Sequence, residues 1–161
     1  MSLDLRELLN RLVTARVEFV LVGGLAVNAW GHVRGTRDVD LVPNPAPENL
    51  TRLAEVLEAL SGRVETPQGL LASGAIRTFL KAGDRTLVTT ELGHVDVLQG
   101  LPQIPRFAEL DAEAVEVDLA GIMIRVCSLR ALLDMKRAST RLRDLDDLDM
   151  LETAHGDDNP G

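Results

Sequence analysis

The chain has 161 residues, enough for one domain with a sizeable core and too few for two comfortable ones. With 45% hydrophobic and 26% charged residues it has the balance of an ordinary globular protein, and no apolar run reaches the roughly 18 residues of a membrane span. A net charge of −8 and an aromatic content of three Phe, one Trp and no Tyr argue against a large nucleic-acid surface, which relies on cationic side chains for phosphate and on rings for base stacking. The single cysteine, Cys127, excludes a disulfide framework or a zinc ribbon, and Met1-Ser2-Leu3-Asp4 lacks the basic flank of a signal peptide. The expected compartment is the cytoplasm, with no membrane partner.

Residues 3–13 place leucines at helical spacing between charged residues, which predicts an amphipathic helix on a sheet. Phe19-Val20-Leu21-Val22 then reads as a buried strand that turns at Gly23-Gly24, and residues 25–30 suit a short helix. A helix opening from two glycines aims unpaired N–H groups at whatever lies over the strand, which suits phosphate. In Asp38-Val39-Asp40-Leu41 the acidic and apolar residues alternate, so a strand here puts both carboxylates on one face. Adjacent carboxylates repel unless a cation lies between them, and an all-oxygen donor set favours Mg²⁺ or Mn²⁺.

Pro43, Pro45 and Pro47 end that strand and open a helix over about residues 46–60, stopped by Ser61-Gly62. Residues 64–75 read as a loop with a helical turn, available to an acceptor pocket, because Pro67, Gly69 and Gly74 interrupt any period. Residues 76–80 and 86–90 are read as short strands around Ala82-Gly83-Asp84, and 94–98 as a third strand that carries Asp96. A short helix over 107–114, a hairpin of 115–119 and 122–126 about Ala120-Gly121, a helix capped by Ser128 and running to about 140, and a last helix over 143–154 complete the domain. The expected organisation is one domain over 1–155 and a disordered polar tail over 156–161. The fold class is α/β (α+β), a mixed sheet layered with helices.

The stretch "VGGLAVNAWGHVRGTRDVDLV" resembles the signature of the nucleotidyltransferase superfamily related to DNA polymerase β: paired small residues, a gap of this length, then Asp-x-Asp between apolar residues. The Arg34-x-Thr36-x-Asp38 run is most similar to small bacterial and archaeal members near the abortive-infection type toxins and the minimal nucleotidyltransferases. The resemblance implies transfer of a nucleoside monophosphate from an NTP to a hydroxyl acceptor by a two-metal mechanism. Gly23 and Gly24 would hold phosphate, Asp38 and Asp40 the metals, and Asp96 would be the third carboxylate, as a metal ligand or as the general base. Arg34 and Thr36 would position phosphate or hold the loop, and Lys136 would reach the triphosphate from a later helix. Asp144 and Asp147 fit a basic-then-acidic run of the toxin group or, equally, a solvated stripe. His32, lacking a metal-ligand partner at usable spacing, is read as structural, and Asn28 and Trp30 as packing residues.

The acceptor is open among a small hydroxylated molecule, a protein side chain and a tRNA end, the acidic charge disfavouring the last. The contrasting reading is a non-catalytic nucleotide- or partner-binding module, with a possible protein partner as half of a toxin–antitoxin pair. A purely structural domain would scatter the carboxylates in space.

Overall fold

A computed structural model describes residues 1–32, 35–138 and 142–155, with residues 142 and 143 described through their backbone alone. Helix α1 (Leu3–Thr14) starts where the Ser2 hydroxyl accepts the Leu5 N–H, and it buries Leu5, Leu8, Leu9 and Leu12. Strand β1 (Phe19–Val22) is buried throughout and passes directly into helix α2 (Gly23–Ala29). Strand β2 (Asp38–Pro43) and helix α3 (Pro47–Ala59) follow, the helix opening on a proline in its first turn, where the missing N–H costs nothing.

The next segment departs from the sequence expectation twice. Residues read as a loop form strands β3 (Arg63–Thr66) and β4 (Gly69–Leu71), and residues 76–80, read as a strand, lie in helix α4 (Ala75–Ala82). Ile76, Phe79 and Leu80 are spaced i, i+3, i+4, so helical geometry lets all three face the core, whereas a strand would split Ile76 and Leu80 from Phe79. Gly83 caps α4 in the left-handed conformation at φ +73°. β3 and β4 exist because Val64 finds a partner in Val88 and β4 pairs back onto β3; these are contacts no local pattern announces.

Strands β5 (Thr86–Thr90) and β6 (Gly93–Val97), helix α5 (Phe107–Glu113), strands β7 (Val115–Leu119) and β8 (Ile122–Val126), and helices α6 (Leu129–Arg137) and α7 (Leu142–His155) complete the described chain. The Ser128 hydroxyl caps α6 by accepting the Ala131 N–H. The predicted last turn of that helix, residues 139–140, and the polar tail over 156–161 lie outside the described residues.

One eight-stranded sheet runs in the order β4-β3-β5-β6-β2-β1-β8-β7. It is mixed: β2 pairs parallel with β6 and β1 parallel with β8, and the other pairings are antiparallel. Val39, Leu41, Val95 and Val97 point together to one face, where a β-carbon built on Gly93 would lie 3.1 Å from the Leu5 side chain of α1. Strand alternation therefore turns Asp38, Asp40 and Asp96 to the opposite face.

Candidate active site

Gly23 stands where β1 becomes α2, at φ +67°, and its lack of a side chain has a direct use. A β-carbon built there would fall 2.7 Å from the Asp40 Cγ and 2.8 Å from its Cβ, inside the space that the carboxylate fills. The glycine thus serves the backbone turn and the seating of Asp40 at once. Thr36 holds the backbone at the start of β2, its Oγ1 accepting from the Asp38 backbone N–H at an N···O distance of 3.4 Å.

β2 and β6 run parallel in a register that sets Asp40 beside Asp96, with Asp38 two residues earlier on the same face. A cleft of about 560 Å³ opens above them. Its lining includes Gly23, Gly24, Thr36, Asp38, Asp40, Asp96 and Lys136, so every described residue assigned to the site from sequence meets there. Arg34 lies outside the described residues. Leu98, Leu101, Ile104, Leu132 and Met135 supply apolar wall.

The sequence reading missed Arg85. It immediately precedes β5, and its guanidinium forks onto Asp96, with Nε 3.0 Å from Oδ1 and Nη2 2.7 Å from Oδ2. The hydrogen bonding to Asp96, together with the charges of Asp96 and Asp40, raises the guanidinium pKa against the lowering effect of desolvation. No local motif marks this arginine; only the β5–β6 pairing, which aligns Thr86 with Val97, brings it to the carboxylates.

Lys136 is buried and bridges two acidic residues of α7, with Nζ 2.5 Å from Asp144 Oδ1 and 3.2 Å from Asp147 Oδ2. Asp144 and Asp147 are buried while Asp146 and Asp149 are exposed, so the acidic run of α7 is not a uniform solvated stripe. His32 acquires acidic neighbours that sequence spacing does not show, its Nε2 lying 3.4 Å from Asp147 Oδ1 and 3.7 Å from Asp146 Oδ2 without hydrogen-bond alignment. One ligand atom from each of His32, Asp146 and Asp147 falls within 4.8 Å of the others, close enough to share a cation. Trp30 donates its indole N–H to the Cys127 carbonyl, 3.0 Å away, and its own carbonyl lies 2.6 Å from His155 Nε2, in keeping with a packing role.

Beside Asp38 on the same sheet face, His94 occupies the paired position on β6. Thr89 donates to Glu65 Oε1 at 2.5 Å, and that oxygen is 3.7 Å from His94 Nδ1, extending the polar row across β5 to β3.

The mixed sheet and its carboxylate-lined cleft belong to a nucleotidyltransferase fold, and solved structures share it. The solution structure of the antibiotic-resistance factor ANT(2'')-Ia aligns with 96% of this chain and 84% of its own, at 18% identity and a TM-score of 0.61. The lincosamide antibiotic adenylyltransferase LnuA, with lincomycin bound, aligns over 94% of this chain and 96% of its own, at 16% identity and a TM-score of 0.63. More narrowly, residues 7–160 match the family of AbiEii nucleotidyl transferase toxins of type IV toxin–antitoxin systems, and the chain belongs to that family. No curated protein matches it by sequence. Among the described residues, no helix is long and apolar enough to cross a membrane.

Proposed function

We propose that this chain transfers a nucleoside monophosphate from an NTP to a hydroxyl acceptor and releases pyrophosphate. The observation that carries the reading is the in-register pair Asp40 and Asp96, with Asp38 on the same face of one cleft. The site suits divalent metal: its donors are carboxylate oxygens, and a cationic guanidinium already lies against Asp96. Asp38, Asp40 and Asp96 would hold two Mg²⁺ or Mn²⁺ ions, which when bound supply charge neutralisation at the attacking and leaving oxygens.

The remaining roles fall to the chain itself. Gly23 and Gly24 hold the β- and γ-phosphates through backbone N–H groups, and Gly23 leaves room for Asp40. Thr36 keeps the Asp38 backbone in place, and Arg34, outside the described residues, is assigned to phosphate from the sequence alone. Lys136, steadied by Asp144 and Asp147, puts positive charge at the wall of the cleft. Asp96 would stand at the acceptor side, as a ligand of the metal there or as the general base that takes the hydroxyl proton. Positioning and charge are most of what phosphoryl transfer asks of a protein. The acceptor is a small hydroxylated molecule, a protein side chain or a tRNA end, and the family description adds a toxin's role and a toxin–antitoxin setting. The compartment that goes with this reading is the cytoplasm, where NTP is available.

The test is incubation with each α-labelled NTP, Mg²⁺ or Mn²⁺ and cell extract as a mixed acceptor pool, beside the Asp38→Ala, Asp40→Ala double variant. Label moving to a small molecule, a protein band or an RNA, and absent with the variant, establishes transfer and names the acceptor class. NTP binding without any transfer would replace this reading with a nucleotide-binding module.

A further inference from the structure

Arg85 is bound to the carboxylate that the transfer reaction most needs to have available. Its fork takes both oxygens of Asp96, Nε at 3.0 Å from Oδ1 and Nη2 at 2.7 Å from Oδ2. Among the described residues, these are the only hydrogen bonds its side chain makes. The two partners differ in freedom: the Asp96 side chain is 12% exposed and the Arg85 side chain 52%. The carboxylate is held by the sheet, while the guanidinium rides on a solvated stem beside the cleft that both line. Asp40, the register partner of Asp96, also acts on the Arg85 charge.

A divalent ion on a carboxylate needs an oxygen at roughly 2 Å, and a bidentate guanidinium takes one lone pair of each oxygen and sets a positive charge against the incoming cation. Arginine and metal therefore compete for Asp96. Phosphate offers the same fork a second partner of matching geometry, and arginine is the side chain suited to recognising either group. We propose that Arg85 is a charge placeholder, holding both oxygens of Asp96 until a nucleoside triphosphate draws its guanidinium onto the phosphates and leaves the carboxylate free for a divalent cation. Arg85 is then a positioning residue that couples nucleotide arrival to completion of the metal site, and the inference rests on the nucleotidyl-transfer reading.

The coupling makes two effects of opposite sign, which a merely structural arginine would not produce. Mn²⁺ binding to the nucleotide-free protein, followed by electron paramagnetic resonance, should tighten by about five- to tenfold in Arg85→Gln. The gain should disappear in Arg85→Gln, Asp96→Asn, which assigns it to Asp96 rather than to the His32 group. Binding of non-hydrolysable ATP, GTP, CTP and UTP analogues in EDTA, measured by calorimetry, should weaken by several-fold in Arg85→Gln for whichever analogue binds. Arg85→Lys, which keeps the charge but not the fork, should fall between in both assays. Melting curves superimposable on the parent's confirm that the exposed substitution leaves the fold intact. If Arg85→Gln leaves either ligand's affinity unchanged or shifts it the other way, the placeholder role is overturned while the proposed activity stands. If neither the parent nor any variant binds Mn²⁺ or an analogue, the nucleotidyl-transfer reading falls together with it.

Discussion

Gly23 joins turn geometry to chemistry in a single residue. Its φ of +67° is one that an L-residue adopts only with strain, and the direction a side chain would take is filled by the Asp40 carboxylate. Gly23→Ala therefore has two costs: backbone strain of about 1 kcal/mol, and a collision that only displacement of Asp40 relieves. The expected outcome is a folded protein destabilised by about 1–3 kcal/mol in urea, with Mn²⁺ affinity lowered about tenfold or more. A variant as stable as the parent with undiminished Mn²⁺ binding would show that the contact with Asp40 is dispensable. Gly23, Asp38 and Asp40 were legible in the sequence because the Gly-Gly and Asp-x-Asp patterns are local. Arg85 was not, since it reaches Asp96 through pairing between β5 and β6.

At the level of elements, α6 and α7 are joined through Lys136. Its ammonium lies between two buried carboxylates of the neighbouring helix, in an environment where removing one charge exposes the cost of burying the others. Lys136→Met should lower stability by about 3 kcal/mol, read as a reduced midpoint in denaturant at an unchanged slope. An unchanged midpoint would mean the lysine serves ligand alone. Ser128, by contrast, supports α6 through one capping hydrogen bond of about 1 kcal/mol, and was visible in the sequence as a cap before an apolar run. Elements with a strong period or a clear stop, such as α1, α3 and the β7–β8 hairpin, were readable on that ground. The region from β3 to α4 was not, because its strands depend on the distant partner β5, and its helix is short and interrupted on both sides by glycine.

Across the whole molecule, Cys127 reports on the integrity of the core. It lies fully buried at the junction of β8 and α6, and its backbone N–H donates to the Leu21 carbonyl of β1 at 3.0 Å. Burial, the largest effect, pushes its thiol from an ordinary 9.0 up to about 12. The thiol should therefore resist iodoacetamide at pH 8 in the native protein and react once the chain is unfolded; fast native labelling would contradict its burial. Because the unfolded thiol loses its proton first, this group's contribution to stability is intact below about pH 9 and is lost progressively as pH rises towards 12. Denaturation midpoints compared with Cys127→Ser across that range isolate the effect.

The strand order carries one further consequence, for synthesis. β1, which delivers Gly23 to the cleft, is flanked in the sheet by β2 on one side and by β8 on the other, joined at Leu21 and Val126. The carboxylate strands leave the ribosome early, yet β1 lacks its second neighbour until residue 126 has emerged, and Lys136, Asp144 and Asp147 follow later still. The strands that carry Asp40 and Asp96 therefore emerge before β1 gains its second neighbour in the sheet, and the wall of the cleft that Lys136 supplies is added only after β8 has been made.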